Sequence, residues 1–317
     1  MIHIDAKQLG ELLEPSALVA ALEDAFRRGA TVPPRQHYSI PDASSGTGAL
    51  LLMPAWQSDR HIAIKVVTFF GGNAARSLPT VQGAVLVLEA STGTPLATID
   101  GTELTLRRTA AASALAARYL ARADAHRLLM VGTGRLAPHV IAAHASVRPF
   151  EEVRVWGRDA VKARKVAATF AAASFAVRAV DDLAEAVGWA DVISCATLAT
   201  DPLIAGRDLV PGQHLDLIGS FTPTMREVDI EALQRAEIFV DTYAGALTES
   251  GELIQALESG AIQRGDVLGE LSELVRGTVD GRSSADAITV FKSVGTALED
   301  LAAAELALAR EARRRRL

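Results

Sequence analysis

Residues 128–137 limit the folds open to this chain more than any other stretch. The apolar run 128–131 leads straight into Gly132-Thr133-Gly134-Arg135-Leu136-Ala137, the pattern G-x-G-x-x-A. In such a junction the first glycine makes a tight turn after a strand. The second lets a pyrophosphate approach the backbone, and the small third residue lets the following helix pack close to the strand. The helix start then offers free N–H groups and a positive dipole end to phosphate oxygens. A glycine motif alone is weak evidence, so its context matters. Here the spacing predicts helices over 136–146, 159–173 and 182–189, with strands at 152–156 and 175–180. Further apolar runs follow at 191–196, 214–219 and 237–241. Strands alternating with helices imply parallel βαβ units with right-handed crossovers, hence a doubly wound, Rossmann-type parallel sheet.

The first third of the chain carries another pattern. A helix over 16–28 is marked by Leu18, Val19, Leu22 and Phe26, with Ser16 placed to cap it. Four strand-like runs follow at 49–56, 61–70, 83–89 and 94–99, separated by Gly, Ser, Pro and Asn. With no long helices between them, they predict mainly antiparallel pairing. An alanine-rich helix over 101–122 closes this part, and a last helix from about 293 to 316 lies beyond the βαβ pattern. The fold class expected is therefore α/β: a Rossmann-type sheet over 124–292 plus an α+β domain made of 1–123 and 293–317.

Composition excludes several roles. Lys and Arg total 32 against 38 Asp and Glu, a net charge of -6, whereas a general nucleic-acid binder needs surplus cations to displace counterions. The arginines of 310–316 read as a helix end that complements the macrodipole. The single cysteine, Cys195, cannot form an intramolecular disulfide, and no Cys/His cluster has metal-ligand spacing. No window offers 18 uninterrupted apolar residues, and residues 1–7 are too polar for a signal peptide. A cytoplasmic protein acting on a small molecule, away from membrane and nucleic acid, is expected.

The second strand of a dinucleotide fold discriminates between cofactors. An acid at its end holds a ribose 2′-hydroxyl, whereas an arginine accommodates a 2′-phosphate. This strand ends Val155-Trp156-Gly157-Arg158, with no acid until Asp159. Arg158, with Arg135 and Lys162, suits a phosphate, so NADPH is expected over NADH. Three upstream cations could serve a substrate: Arg35 after Pro33-Pro34, Lys65 within an apolar strand, and Arg108 within the alanine-rich helix. Lys65, between Ile64 and Val66, either points outward or is kept inward for a charged ligand.

Five segments together resemble the ornithine cyclodeaminase/μ-crystallin family, in order and over nearly the whole chain. They are Pro34-Arg35, Ile64-Lys65-Val66 with Gly71-Gly72-Asn73, Arg108-Thr109-Ala110-Ala111, Val131-Gly132-Thr133-Gly134, and Val290-Phe291-Lys292-Ser293-Val294-Gly295. The resemblance implies a homodimer whose first domains pair in a shared barrel-like sheet, with the last helix returning to that domain. It implies that Arg35, Lys65 and Arg108 hold a substrate carboxylate, that Thr80 lines the pocket, and that Ser293 approaches the cofactor. Ornithine cyclodeaminases carry an Asp two residues past the first Gly of the loop after a late Rossmann strand; here Gly219-Ser220-Phe221 puts Phe221 in that place. A phenyl ring neither accepts a proton nor binds a side-chain ammonium. The branch most resembled is therefore the one that reduces the cyclic ketimines Δ1-pyrroline-2-carboxylate and Δ1-piperideine-2-carboxylate, with Lys65 or water as proton source. An alanine or other amino-acid dehydrogenase, an ornithine cyclodeaminase, and a non-catalytic NADPH binder are the alternatives.

Overall fold

The computed structural model describes residues 1–42 and 46–316. The chain forms two compact units, Met1–Thr109 with Thr296–Leu317, and Ala110–Gly295.

Unit 1 begins with β1 (Ile2–Ile4), α1 (Ala6–Leu12) and α2 (Pro15–Arg28). The strands β2 (Gln36–Asp42), β3 (Gly46–Trp56), β4 (His61–Phe69), β5 (Val81–Glu89) and β6 (Pro95–Asp100) follow, then α3 (Gly101–Leu120), within which the border falls. The sheet order is β1-β6-β5-β4-β3-β2, with β2 to β6 an antiparallel meander and β1 parallel to β6. Alternation sets its buried face. Met53 and Ala55 of β3, Ala63 and Lys65 of β4, and Val85 and Val87 of β5 are all buried. Register places Lys65 between Met53 and Val85.

Two local expectations need correcting. α2 starts at Pro15 and is capped by Glu14, whose carboxylate accepts the Ser16 and Ala17 N–H groups; Ser16 is not the cap. Proline at the first helical position has no N–H to satisfy, so the cap falls one residue before it. β2, with Pro41, was not expected as a strand, and it is an edge strand, where a missing N–H is tolerated.

Unit 2 runs β7 (Arg127–Val131), α4 (Ala137–Ala145), β8 (Glu152–Trp156), α5 (Ala160–Ala168), β9 (Ala176–Ala179), α6 (Leu183–Trp189), β10 (Val192–Cys195) and β11 (His214–Leu217). It continues with α7 (Ile230–Gln234), β12 (Ala236–Val240), α8 (Tyr243–Glu249), α9 (Gly251–Glu258), β13 (Val267–Glu270), α10 (Leu271–Arg276) and β14 (Ile288–Lys292). All eight strands are parallel, in the order β13-β12-β14-β11-β10-β7-β8-β9. The chain reverses its direction of sheet growth at β7 and β10, which makes the carboxyl ends of those strands the topological switch point. The helix expected over 159–173 stops at Ala168. There the Thr169 hydroxyl donates to the Val166 carbonyl, and the next residues form tighter turns.

The chain ends in α11 (Ala297–Arg314), which packs on α2, β3 and β4 of unit 1. Its terminal arginines are tied down: Arg310 donates to the Leu12 carbonyl and Arg314 pairs with Glu11 at 2.8 Å. Among the described residues, no helix is long and apolar enough to cross a membrane.

Candidate active site

Lys65 projects from the middle of β4 toward α11 and is only 2% exposed. Its Nζ lies 2.9 Å from Asp300 Oδ1 and 2.7 Å from Oδ2. Arg108, 5% exposed on α3, places Nε 3.0 Å from Asp300 Oδ1 and Nη1 2.5 Å from Glu299 Oε2. Burying an isolated charge is costly, so these groups persist by compensating one another. Burial pushes the Lys65 ammonium down to about 8, against Asp300, while Arg108 adds to the lowering. Burial opposes ionisation of Asp300 as well, but Lys65 and Arg108 outweigh it and hold its carboxyl below the usual range, with Arg35 contributing. Arg35, just before β2, therefore belongs to the same electrostatic cluster. Thr80 is partly buried immediately before β5, and its carbonyl accepts the Phe70 N–H.

In unit 2 the glycine turn adopts the shape its residues require. Gly132 has φ +122°, and a Cβ there would stand 2.5 Å from the Ala196 carbonyl oxygen, so only glycine fits. Gly134 opens onto empty space. α4 has no side chain capping its start, its first N–H, that of Ala137, donates to the Gly134 carbonyl, and Pro138 carries none, so an anion here would be met by the backbone of the glycine turn. Thr133 packs against Gly157 at the end of β8, where a Cβ would come within 2.6 Å of its methyl group. Arg135 in the turn, Arg158 just beyond β8 and Lys162 in the first turn of α5 are exposed, while Leu136 is partly buried and Ala137 fully so. Asp159 is committed elsewhere, accepting the Val161 and Lys162 N–H groups as the α5 cap. An open second glycine, an uncapped helix start and flanking cations fit a dinucleotide phosphate group.

The loop after β11 carries Phe221, 48% exposed, on an otherwise fixed segment. The Ser220 hydroxyl donates to the Met225 carbonyl and accepts the Gly251 N–H. Glu227, fully buried, accepts Thr197 N–H and hydroxyl on Oε1 at 2.7 and 2.8 Å, and Gly219 N–H on Oε2 at 2.7 Å. Ser293 is buried after β14, its N–H bonded to the Leu217 carbonyl.

Lys65 and Arg108 thus meet in unit 1 with Arg35 in range, and in unit 2 the glycine turn, which holds Arg135, packs on Gly157, the residue before Arg158. Sequence reasoning missed Asp300, Glu299, Glu252 and the buried state of Lys292. Two adjacent acids in the first turn of a helix read as dipole partners. Their distinguishing signal is that they sit in a stretch, 297–305, that is otherwise almost wholly apolar and is buried on every side of the helix.

Residues 3–313 match the model of the ornithine cyclodeaminase/mu-crystallin family. A Δ1-pyrroline-2-carboxylate reductase of Colwellia psychrerythraea is 39% identical over 306 residues, covering 95% of this chain and 96% of that protein. The structure of Thermococcus litoralis Δ1-pyrroline-2-carboxylate reductase in complex with NADH and L-proline matches with a TM-score of 0.93 at 31% identity, over 99% of this chain and 98% of that one. An archaeal alanine dehydrogenase dimer with bound NAD matches with a TM-score of 0.91 at 29% identity, over 99% and 96%.

Proposed function

The chain belongs to the ornithine cyclodeaminase/mu-crystallin family, and from that premise we propose that it is a nicotinamide-dependent oxidoreductase reducing cyclic imino acids at C2. Δ1-Pyrroline-2-carboxylate would give L-proline and Δ1-piperideine-2-carboxylate L-pipecolate. The observation that carries this reading is the charge cluster of unit 1. Lys65 and Arg108, buried against Asp300 and Glu299 with Arg35 in electrostatic range, gather cations that suit a substrate carboxylate.

Reduction adds a hydride to C2 and a proton to the ring nitrogen, turning C=N into CH–NH. When bound, the reduced nicotinamide supplies the hydride. Lys65, Arg108 and Arg35 clamp the carboxylate through charge-assisted bonds and fix C2 in place, with Thr80 at the pocket wall. An ammonium has three N–H donors, and the hydrogen bond to Asp300 Oδ1 does not use them all, so Lys65 keeps donor capacity for a ligand. Its value near 8 keeps Lys65 charged at neutral pH yet close enough to that range to hand a proton to the ring nitrogen. Phe221, exposed on the loop after β11 where a carboxylate would have favoured a diamine, argues against ornithine cyclisation.

Gly132, Thr133, Gly134, Arg135, Leu136 and Ala137 would hold the pyrophosphate, with Ser293 near the cofactor. Arg158 and Lys162 favour a 2′-phosphate because Asp159 is occupied as a helix cap, so NADPH is assigned with NADH as the alternative. The exposed apolar residues Tyr38, Phe69 and Val81 on β2, β4 and β5 support a homodimer joined through the unit 1 sheet. The archaeal alanine dehydrogenase likeness favours a second reading, reductive amination of an open-chain 2-oxo acid with the same clamp.

Chiral analysis of the product formed from Δ1-pyrroline-2-carboxylate tests the reaction: L-proline is expected, and its absence rejects the assignment. In the same assay Arg158→Ala should lower the NADPH/NADH preference about tenfold, the scale of one charge-assisted contact. An unchanged preference removes Arg158 from the 2′-phosphate site.

A further inference from the structure

Glu227 has no counterpart in the carboxylate clamp or in the glycine turn, yet its contacts span three segments at the carboxyl edge of the unit 2 sheet. Thr197 stands two residues beyond β10 and Gly219 two residues beyond β11. Glu227 accepts the N–H of each, and the Thr197 hydroxyl as well. Its own N–H donates to Glu252 Oε1 at 2.7 Å, and its carbonyl accepts the Leu203 and Ile204 N–H groups. The packing leaves no slack: a Cβ at Gly219 would stand 2.1 Å from the Thr197 carbonyl oxygen and 2.4 Å from Glu227 Oε1. The row continues to β7, because the Gly132 turn packs directly on the Ala196 carbonyl. One carboxylate therefore fixes the loops after β10 and β11 and, through Ala196, braces the glycine turn. In an open parallel sheet these carboxyl ends, at the switch point, form the dinucleotide crevice.

We propose that Glu227 is a positioning residue for the dinucleotide site, and that its negative charge holds the loops after β10 and β11 in the binding conformation. The inference rests on the reading that unit 2 binds a nicotinamide dinucleotide. Charge matters because three donors converge on two oxygens. A carboxylate accepts from all three, whereas a neutral carboxamide turns its NH2 toward one of them, donor against donor. The charged and titratable groups around it are Lys292 on β14, Glu252 at the start of α9 and the Cys195 thiol ending β10, which burial keeps neutral; all are buried. Lys292 Nζ lies 3.7 Å from Glu252 Oε2 and makes no hydrogen bond. Burial, with Glu252, pushes the Glu227 carboxyl up to about 7, while Lys292 and the Thr197 donors oppose that rise. The loops are thus held firmly above about pH 7 and loosen below it.

The test is direct binding of NADPH and NADH, followed by cofactor fluorescence from pH 6 to 9, on wild type, Glu227→Gln and Thr197→Val. The expected wild-type Kd is level above pH 8 and rises as pH falls through about 7. Glu227→Gln should bind about tenfold more weakly at pH 8 and lose that inflection, and Thr197→Val should weaken binding less and keep it. Glu227→Gln with the wild-type Kd and inflection overturns the proposal. If Glu227→Gln does not fold, Thr197→Val decides: a wild-type Kd overturns the proposal, and a raised Kd supports it. A wild type that binds neither dinucleotide overturns the dinucleotide reading itself, and this inference with it.

Discussion

Strand alternation puts Lys65 on the buried face of β4 with Ala63, and Asp300 meets the ammonium there at 2.7 to 2.9 Å. The consequence is a lysine that titrates near 8 instead of near 10.5. For stability, the folded value lies below the unfolded one. The unfolded chain therefore holds the extra proton between about 8 and 10.5, and this group adds stability as pH rises through that window. Substrate capture runs the other way, because the clamp needs the cation. kcat/KM for a cyclic imino acid should fall as pH rises through about 8, and in Lys65→Met it should be low throughout without that limb; a wild-type profile in Lys65→Met would remove Lys65 from the site. Among single residues, the glycine turn was legible because its geometry has one chemical solution: Gly132 combines φ +122° with a carbonyl 2.5 Å from where a Cβ would go. Asp300 was not legible. Nothing local distinguishes a helix-start acid that faces solvent from one that faces a lysine 235 residues away.

At the scale of elements, the parallel βαβ part followed from periodicity, since buried strands such as β7 and β10 are continuous apolar runs between helices. The short helices α8 to α10 and the edge strand β2 did not, because their form is fixed by packing and capping more than by pattern. α11 shows how an element acquires a second role. It packs on α2, β3 and β4, and its first turns, buried on every side, deliver Asp300 and Glu299 to the buried cations. Asp300→Asn leaves Lys65 and Arg108 buried with less countercharge, so it should lower unfolding free energy by about 3 to 5 kcal/mol in urea titrations. It should also move the alkaline limb of kcat/KM to lower pH, because Asp300 is what holds the Lys65 value up. An unchanged urea midpoint together with an unchanged limb would show that the pair is dispensable.

For the whole molecule, the charges lie in the right places for the chemistry. A chain with net charge -6 still gathers Lys65, Arg108 and Arg35 in one cluster of unit 1, and Arg135, Arg158 and Lys162 are exposed in unit 2. The apolar residues left exposed on the unit 1 sheet predict a dimer in sedimentation velocity. A monomer at micromolar concentration would instead mean that Tyr38, Phe69 and Val81 serve another purpose. The central claim is that the unit 1 clamp takes the carboxylate of a cyclic imine for reduction. Its most direct test is the steady-state rate of NADPH oxidation with Δ1-pyrroline-2-carboxylate, set beside pyruvate with ammonia in the same protein. Rapid oxidation with the ring imine is expected, with a kcat/KM well above that for pyruvate and a large rise in KM in Arg108→Ala. Oxidation with pyruvate and ammonia but not with the ring imine would contradict it.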